Sequence, residues 1–283
     1  MLAFTIATIR ISMESHDEVD YVSGRTRVFG IVGHPIEQVR SPEMFTAEFR
    51  RRGRDAILVP LHVLPDDFDA ALPQLLRLQN LGGLVFTIPY KVRACALADD
   101  LGDQARVVGA INALTKGDDE RWRADIFDGL GCVEAFRRRQ IPLVGKRVML
   151  LGAGGAGSAI AVAVGYERPV SLRVFDVDAG RAEALAGKVA RANPGVHVEA
   201  GPPIVEGIDV LVNASPVGML GDARLPMAVT TFPRELVVLD AIVKPERTPL
   251  LALAEQCGCT TVFGREMMRG QICRMVDFFF AGH

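Results

Sequence analysis

Residues 146–178 read KRVMLLGAGGAGSAIAVAVGYERPVSLRVFDVD, and this stretch decides the fold. An apolar run ending at Leu151 is followed by Gly152-Ala153-Gly154-Gly155-Ala156-Gly157, the spacing G-x-G-x-x-G. The spacing alone is a weak signal, because glycine is common. Here it follows a strand-like run and opens a small-residue helix, which is the context a dinucleotide fingerprint requires. The first glycine permits the tight turn, the second lets backbone approach a pyrophosphate, and the third allows close strand–helix packing. Exposed N–H groups and the positive helix end would then hold the phosphates, so all six residues from Gly152 to Gly157 are expected to line the cofactor.

A second strand, SLRVF, ends at Asp176, about 20 residues beyond the fingerprint as a ribose-binding carboxylate should. That carboxylate can accept bonds from both ribose hydroxyls of NAD, whereas the 2′-phosphate of NADP would meet a like charge. Val177 is uncharged and Asp178 is acidic, which leaves Arg181 as the nearby cation able to bind a phosphate. The stretch is therefore expected to favour NAD over NADP. As a strand-end residue, Asp176 could also simply form a turn.

The rest of the chain fits an α/β protein. At 283 residues, with about half of them apolar, it is long enough for two domains with substantial cores. Strands and helices alternate in TRVFGIVG (26–33), SPEMFTAEFRRRG (41–53), DAILVPLHV (55–63) and PDDFDAALPQLLRLQN (65–80), with Pro73 in the last helix. GGLVFTIPY (82–90) is a β-rich run, after which Lys91 is expected to open a helix. VVGAINALTKGDDERWRADIF (107–127) gives two short strands around a Gly-Asp-Asp turn. A helix follows over 128–140, and strands recur at 145–151, 171–177, 209–215 and 236–242. The last helix, roughly 265–281, carries Met268, Ile272, Met275, Val276 and Phe279 on one stripe. The division expected is a substrate-binding catalytic domain over 1–128, a Rossmann domain over 129–260, and a helix over 261–283 returning to the first domain.

Several classes of partner are excluded by composition. With 32 basic against 34 acidic residues and no long single-sign block, nothing points to nucleic acid or a charged membrane. Five irregularly spaced cysteines suggest reduced thiols and no metal site; Cys257 and Cys259 stand one residue apart, unlike a zinc knuckle or redox pair. No apolar run reaches the length of a membrane span. Residues 1–12 alternate enough for a short strand, but residues 1–25 lack the basic start and cleavage site of an export signal. A cytoplasmic protein, monomer or homodimer, acting on a small hydroxy or oxo compound is expected.

Eight segments, GHPIEQVRSPEMF, GGLVFTIPYK, GAINAL, ADIFDGLG, GAGGAGSA, NASPVGM, DAIVKPERTPLL and GREMMRGQ, occur in the order found in shikimate/quinate dehydrogenases. The resemblance runs from about Val28 to the end, and P-Y-K followed by G-A-I-N-A-L and F-D-G is its most specific part. It implies a two-domain α/β enzyme that moves hydride between a nicotinamide and a ring alcohol or ketone carbon. Lys91 matches the family's catalytic lysine; at a helix start it would face a positive dipole end and readily exchange a proton with a substrate hydroxyl. Asp128 matches the aspartate paired with that lysine, and could also cap a helix starting at Gly129.

Asn112, Ser41, Thr87 and Gln271 match substrate-binding positions. Ser41 also reads as an ordinary N-cap, Asn112 as a turn former, and Gln271 as a buried amide in need of partners. Asn213 and Gly218 fall where the family lines its nicotinamide pocket. Met219 is expected either to touch that ring or to serve as simple filler, and Gly264 is a further expected cofactor position.

The departures from the family cluster in the substrate pocket. Of two serines in H-S-x-S-P the first is Val39, so only Ser41 remains. Val85 replaces the asparagine of N-V-T, Ile126 and Phe127 replace polar residues of G-D-N-T-D-G, and Val243 replaces a late tyrosine. Each hydrogen bond lost to a buried polar group costs about 1–3 kcal/mol if its partner stays unpaired. The pattern predicts retained hydride chemistry on a substrate less polar than shikimate, with His34 or Arg40 as alternative contacts for a carboxylate, although Arg40 reads first as a solvated surface arginine. The competing readings are a dehydrogenase for a quite different hydroxy compound and a non-catalytic NAD-binding sensor; Lys91 and Asp128 together argue against the sensor.

Overall fold

The computed structural model describes residues 22–37 and 39–281. The strand expected over residues 1–12 lies outside them. Two six-stranded sheets organise the chain. The first has the order β2-β1-β3-β5-β6-β4, from β1 (Arg27–Gly33), β2 (Ala56–His62), β3 (Leu81–Phe86), β4 (Asp100–Leu101), β5 (Ala113–Lys116) and β6 (Trp122–Asp125). β1, β2 and β3 run parallel, while β5 is antiparallel to both β3 and β6, the pairing expected around the Gly-Asp-Asp turn. Helices α1 (Ser41–Arg51), α2 (Phe68–Leu75) and α3 (Asp103–Val108) connect these strands.

The second sheet contains β7 (Arg147–Leu151), β8 (Ser171–Phe175), β9 (His197–Ala200), β10 (Val210–Asn213), β11 (Val237–Asp240) and β12 (Thr260–Val262). All its pairings are parallel, in the order β12-β11-β10-β7-β8-β9. That is the doubly wound order, with its switch point between β7 and β10. Val148 to Leu151 are all buried because helices cover both faces, which is why the strand reads as an unbroken apolar run. Helix α5 (Gly155–Tyr166) is apolar all round for the same reason: Ala159 to Gly165 are buried without a break. Helices α6 (Ala179–Ala192) and α7 (Pro249–Gln256) complete the layers.

Helices α4 (Asp128–Arg138) and α8 (Gly264–Phe279) pack against each other, α4 also on α5 and α8 also on α1 and β5. The last helix thus returns to the first sheet, as its apolar stripe predicts: Ile272, Met275, Val276 and Phe279 are buried in one cluster with Phe29, Phe45 and Phe49. Gly131 permits the close α4–α8 crossing, since a Cβ there would lie 2.6 Å from the Met267 carbonyl oxygen. Among the described residues, no helix is long and apolar enough to cross a membrane.

Three local expectations fail. Ser41 is the first residue of α1, not its cap; the flanking residue is Arg40, and no side chain caps the helix. Lys91 does not open an α-helix. It lies in a turn before a five-residue 3₁₀ stretch, Arg93–Leu97, too short to develop the dipole invoked for it. Asp128 is itself the first residue of α4 and makes no capping bond. It stands one position inside the helix, and its two oxygens take the Lys91 ammonium and the Asn112 and Gln271 side-chain amides instead.

Candidate active site

The loop after β3 delivers Lys91. Tyr90 anchors it: the ring is buried, stacked on Phe68 with centroids 4.6 Å apart, and its hydroxyl donates to the Val63 carbonyl. Thr87 N–H donates to the Val32 carbonyl at 3.0 Å, and Ile111 N–H donates to the Lys91 carbonyl at 2.8 Å. The second of these bonds brings the neighbouring Asn112 beside Lys91. In the sequence Tyr90 reads only as the aromatic before the lysine, because its anchoring role needs the distant Val63 and Phe68.

Three predicted residues meet at a fourth, Asp128. Lys91 Nζ donates to its Oδ2 at 2.6 Å, Asn112 Nδ2 donates to the same oxygen at 3.1 Å, and Gln271 Nε2 donates to Oδ1 at 3.0 Å. Asn112 Oδ1 in turn accepts the Phe127 amide at 2.9 Å, so Asn112 is a buried clasp rather than a free turn residue. Gln271 is half-buried, not enclosed, and the partner its amide needs is Asp128. Asp128 is 9 % and Lys91 21 % exposed at the side chain, so the pair is shielded while the ammonium keeps an open side. A lysine held this way can give a proton to, or take one from, an oxygen placed beside it.

The substituted positions fall in three places, Ile126 being buried in a separate cluster with Leu150 and Ile160. Val85 and Phe127 are buried in the same apolar cluster as Ile36, and Val39 packs on it. Val243 stands apart, half-buried in the loop after β11. Ser41 and Thr87 are half-buried. Arg40 is exposed and pairs with Glu43 at the surface, its Nε donating at 2.5 Å, as a solvated arginine would. His34 Nδ1 lies 2.9 Å from His62 Nε2 at adjacent strand ends, a pairing that no sequence spacing signals.

At the switch point, the glycine loop has the geometry that a pyrophosphate needs. Gly152 has φ +101°, a conformation that L side chains rarely adopt, and a Cβ on Gly157 would lie 1.9 Å from the Gly152 oxygen. Around Gly154 and Gly155 a Cβ would meet nothing within 4 Å, so this side of the loop faces open space, at the start of a twelve-residue helix. Ala153 and Ala156 are half-buried between them. The loop therefore fits a dinucleotide phosphate group.

Asp176 reaches back to this loop: its Oδ2 accepts the Ala153 amide at 2.7 Å and its Oδ1 the Asp178 amide at 2.9 Å. Burial pushes its carboxyl up, but those two amides outweigh the effect and hold it below the usual carboxylate range. Val177 is 95 % exposed and offers no charge. Arg181 lies 3.5 Å from Asp178, whose side chain caps α6 through the Arg181 amide. Asn213 ends β10 and is buried, Gly218 is buried in the loop that follows, and Met219 is exposed. Gly264 packs tightly against the loop after β11: a Cβ there would lie 2.3 Å from the Ile242 carbonyl oxygen.

Known proteins match this architecture. Residues 31–114 match the family model described as the shikimate dehydrogenase substrate binding domain. The shikimate dehydrogenase (NADP(+)) of Rhodospirillum rubrum is 34% identical over 257 residues, covering 88% of this chain and 90% of the relative. Among solved structures, 5-ketofructose reductase of Gluconobacter sp. strain CHM43 superposes with TM-score 0.83 at 27% identity, covering 92% of this chain and 94% of that one. Quinate dehydrogenase from Corynebacterium glutamicum in complex with NAD gives TM-score 0.80 at 27% identity, covering 90% and 94%. Identity sustained across nearly the whole length, on a doubly wound sheet joined to a matching substrate domain, places the chain in the shikimate/quinate dehydrogenase family of NAD(P)-dependent oxidoreductases acting on CH–OH groups.

Proposed function

We propose that this protein catalyses reversible hydride transfer between NAD and a hydroxyl- or carbonyl-bearing carbon, with Lys91 moving the accompanying proton. The observation that carries this reading is the Lys91 ammonium held 2.6 Å from Asp128, with Asn112 and Gln271 on the same carboxylate. The bound nicotinamide supplies or accepts the hydride. Lys91 gives its proton to the substrate oxygen when a carbonyl is reduced and takes it back when an alcohol is oxidised. Asp128 keeps the ammonium aimed, and Asn112 and Gln271 keep Asp128 in place. Ser41 and Thr87 offer hydroxyls to the substrate.

The preference for NAD rests on the ionised Asp176, the uncharged Val177 and the engagement of Arg181 with Asp178. A 2′-phosphate there would meet negative charge without a free cation beside it. The Rhodospirillum relative is named for NADP(+), so the proposal sets this chain apart from it.

The substrate is less polar than shikimate. Val39, Val85 and Phe127 are drawn into one apolar cluster, and hydroxyl or carboxylate groups against it would lose water without gaining partners. We further take residues 1–128, 129–260 and 261–283 as the substrate domain, the dinucleotide domain and the returning helix.

The test is absorbance at the NADH band with NAD or NADP against shikimate, quinate and uncharged cyclic and open-chain polyols. Turnover with NAD and its loss in Lys91→Ala, at unchanged NAD affinity, is expected. An active Lys91→Ala protein removes Lys91 from the reaction; tight NAD binding without turnover of any alcohol would favour the sensor.

A further inference from the structure

Asp240 ends β11 as a fully buried carboxylate, 0 % exposed, in a part of the chain to which the hydride-transfer scheme gives no task. Its Oδ2 accepts the Thr248 hydroxyl at 2.7 Å, and its Oδ1 accepts the Asn213 carboxamide and the Ile242 amide, each at 3.1 Å. All three donors are neutral. A buried acid without a cation is costly, and burial pushes this carboxyl up despite the three donors. Holding two strands together would be served as well by an amide or an apolar side chain, so an acceptor of this strength points to something beyond packing.

What Asp240 holds is the loop past the switch point. Asn213 lies opposite it in register on β10. With its amide group turned to Asp240, Asn213 Oδ1 accepts both the Ser215 amide at 3.0 Å and the Ser215 hydroxyl at 2.7 Å. Ser215 Oγ then accepts the Val217 amide at 3.3 Å. The next residue, Gly218, takes φ +98°, and its open side faces Pro249, Ile242 and Thr248, so the loop seats on the segment that Asp240 fixes from below. Its other flank touches the cofactor loop: a Cβ on Gly152 would lie 2.8 Å from the Ser215 nitrogen. In a doubly wound sheet the two halves bind one mononucleotide each. Asp176, on β8's side, belongs to the adenosine half, and the loop after β10 to the other.

We infer that Asp240 is a positioning residue for the nicotinamide half of the dinucleotide site, acting through the Asn213 carboxamide and the Thr248 hydroxyl on the loop that carries Gly218 and Met219. The inference rests on the dinucleotide reading given above. Replacing Asp240 with asparagine sets an N–H₂ group against one of its donors. If it faces Asn213, the Asn213 amide is driven to rotate and Ser215 loses its acceptor. If it faces Thr248, the hydroxyl must turn, although that oxygen already accepts the Leu251 amide at 3.3 Å.

The full chain is titrated calorimetrically with NADH, with NADPH and with ADP-ribose, which lacks the nicotinamide. Asp240→Asn is expected to weaken the preferred dinucleotide about tenfold, the loss of one hydrogen bond to a charged group, while ADP-ribose affinity stays within about twofold. Thr248→Val should act in the same direction and Thr248→Ser should restore binding; this pair decides the matter if the Asp240 variant does not fold. Equal weakening of dinucleotide and ADP-ribose, or unchanged dinucleotide binding in the folded variants, would overturn the inference. Wild-type protein that binds none of the three ligands overturns the dinucleotide reading itself, a result distinct from a missing difference between variants.

Discussion

Replacing Asp128 with asparagine removes a charge while nearly preserving shape. Asp128 takes three donors on two oxygens, Lys91 and Asn112 on Oδ2 and Gln271 on Oδ1. An amide oxygen at the Oδ2 position keeps the first two, and the amide nitrogen at Oδ1 is accommodated once the Gln271 carboxamide rotates. What is lost is the carboxylate charge, so the Lys91 bond falls from an ion pair to an ion–amide bond and the amide donors face a neutral acceptor; a bond to a charged group contributes about 1.5–3 kcal/mol against about 0.5–1.5 for a neutral one. The difference, about 1–1.5 kcal/mol, corresponds to roughly tenfold in rate if it is felt only when Lys91 is aimed at the reacting oxygen. Asp128→Ala strips all three donors of their acceptor. With Lys91 21 % exposed, water replaces part of the loss. We expect about 2–3 kcal/mol, or about a hundredfold, for the alanine variant. The assay is kcat from NADH absorbance at saturating cofactor with the best substrate of the panel, alongside NAD affinity and melting temperature. Ordered loss, Asn before Ala, at unchanged NAD affinity is the expected result. Wild-type kcat in both variants would refute the role given to Asp128.

Three other outcomes follow from the same geometry. Asp176→Ala should shift the NAD-to-NADP ratio of kcat/KM toward NADP by about tenfold or more, as removal of a like charge beside the 2′ position predicts; an unaltered ratio places the selectivity elsewhere. Val39→Ser, Val85→Asn and Val243→Tyr together should raise shikimate turnover while destabilising the protein by about 1–3 kcal/mol, because residue 85 is buried among apolar side chains. No gain in turnover would contradict the account of the pocket. Gly157→Ala places a Cβ 1.9 Å from a backbone oxygen, and should lower stability by about 1–3 kcal/mol and weaken dinucleotide binding; a variant equal to wild type in melting temperature and NAD affinity would show that the loop relaxes freely.

The amino-acid sequence by itself determined the Rossmann layer, whereas the lysine–aspartate pair was legible only through the resemblance of P-Y-K and F-D-G to the shikimate/quinate dehydrogenases. The signals for the layer are local: an apolar run long enough for a doubly covered strand, glycines at the turn, and an acidic residue at the next strand end. Short edge strands were less visible. β4, β9 and β12 have two to four residues each, too few for a period to register, and they form because a neighbouring strand offers unpaired backbone groups. Tertiary structure also decided what the polar side chains do. Ser41 and Asp128 both carry the residue types of helix caps, yet neither caps, since capping depends on where the backbone turns helical and on what else competes for the oxygen. Gln271 is 143 residues from Asp128, and only the packing of α8 on α4 brings its amide to that carboxylate. Asp240 carried no signal beyond being an acid at the end of an apolar strand, because its partners, Asn213 and Thr248, become neighbours only when β10, β11 and α7 assemble into one layer.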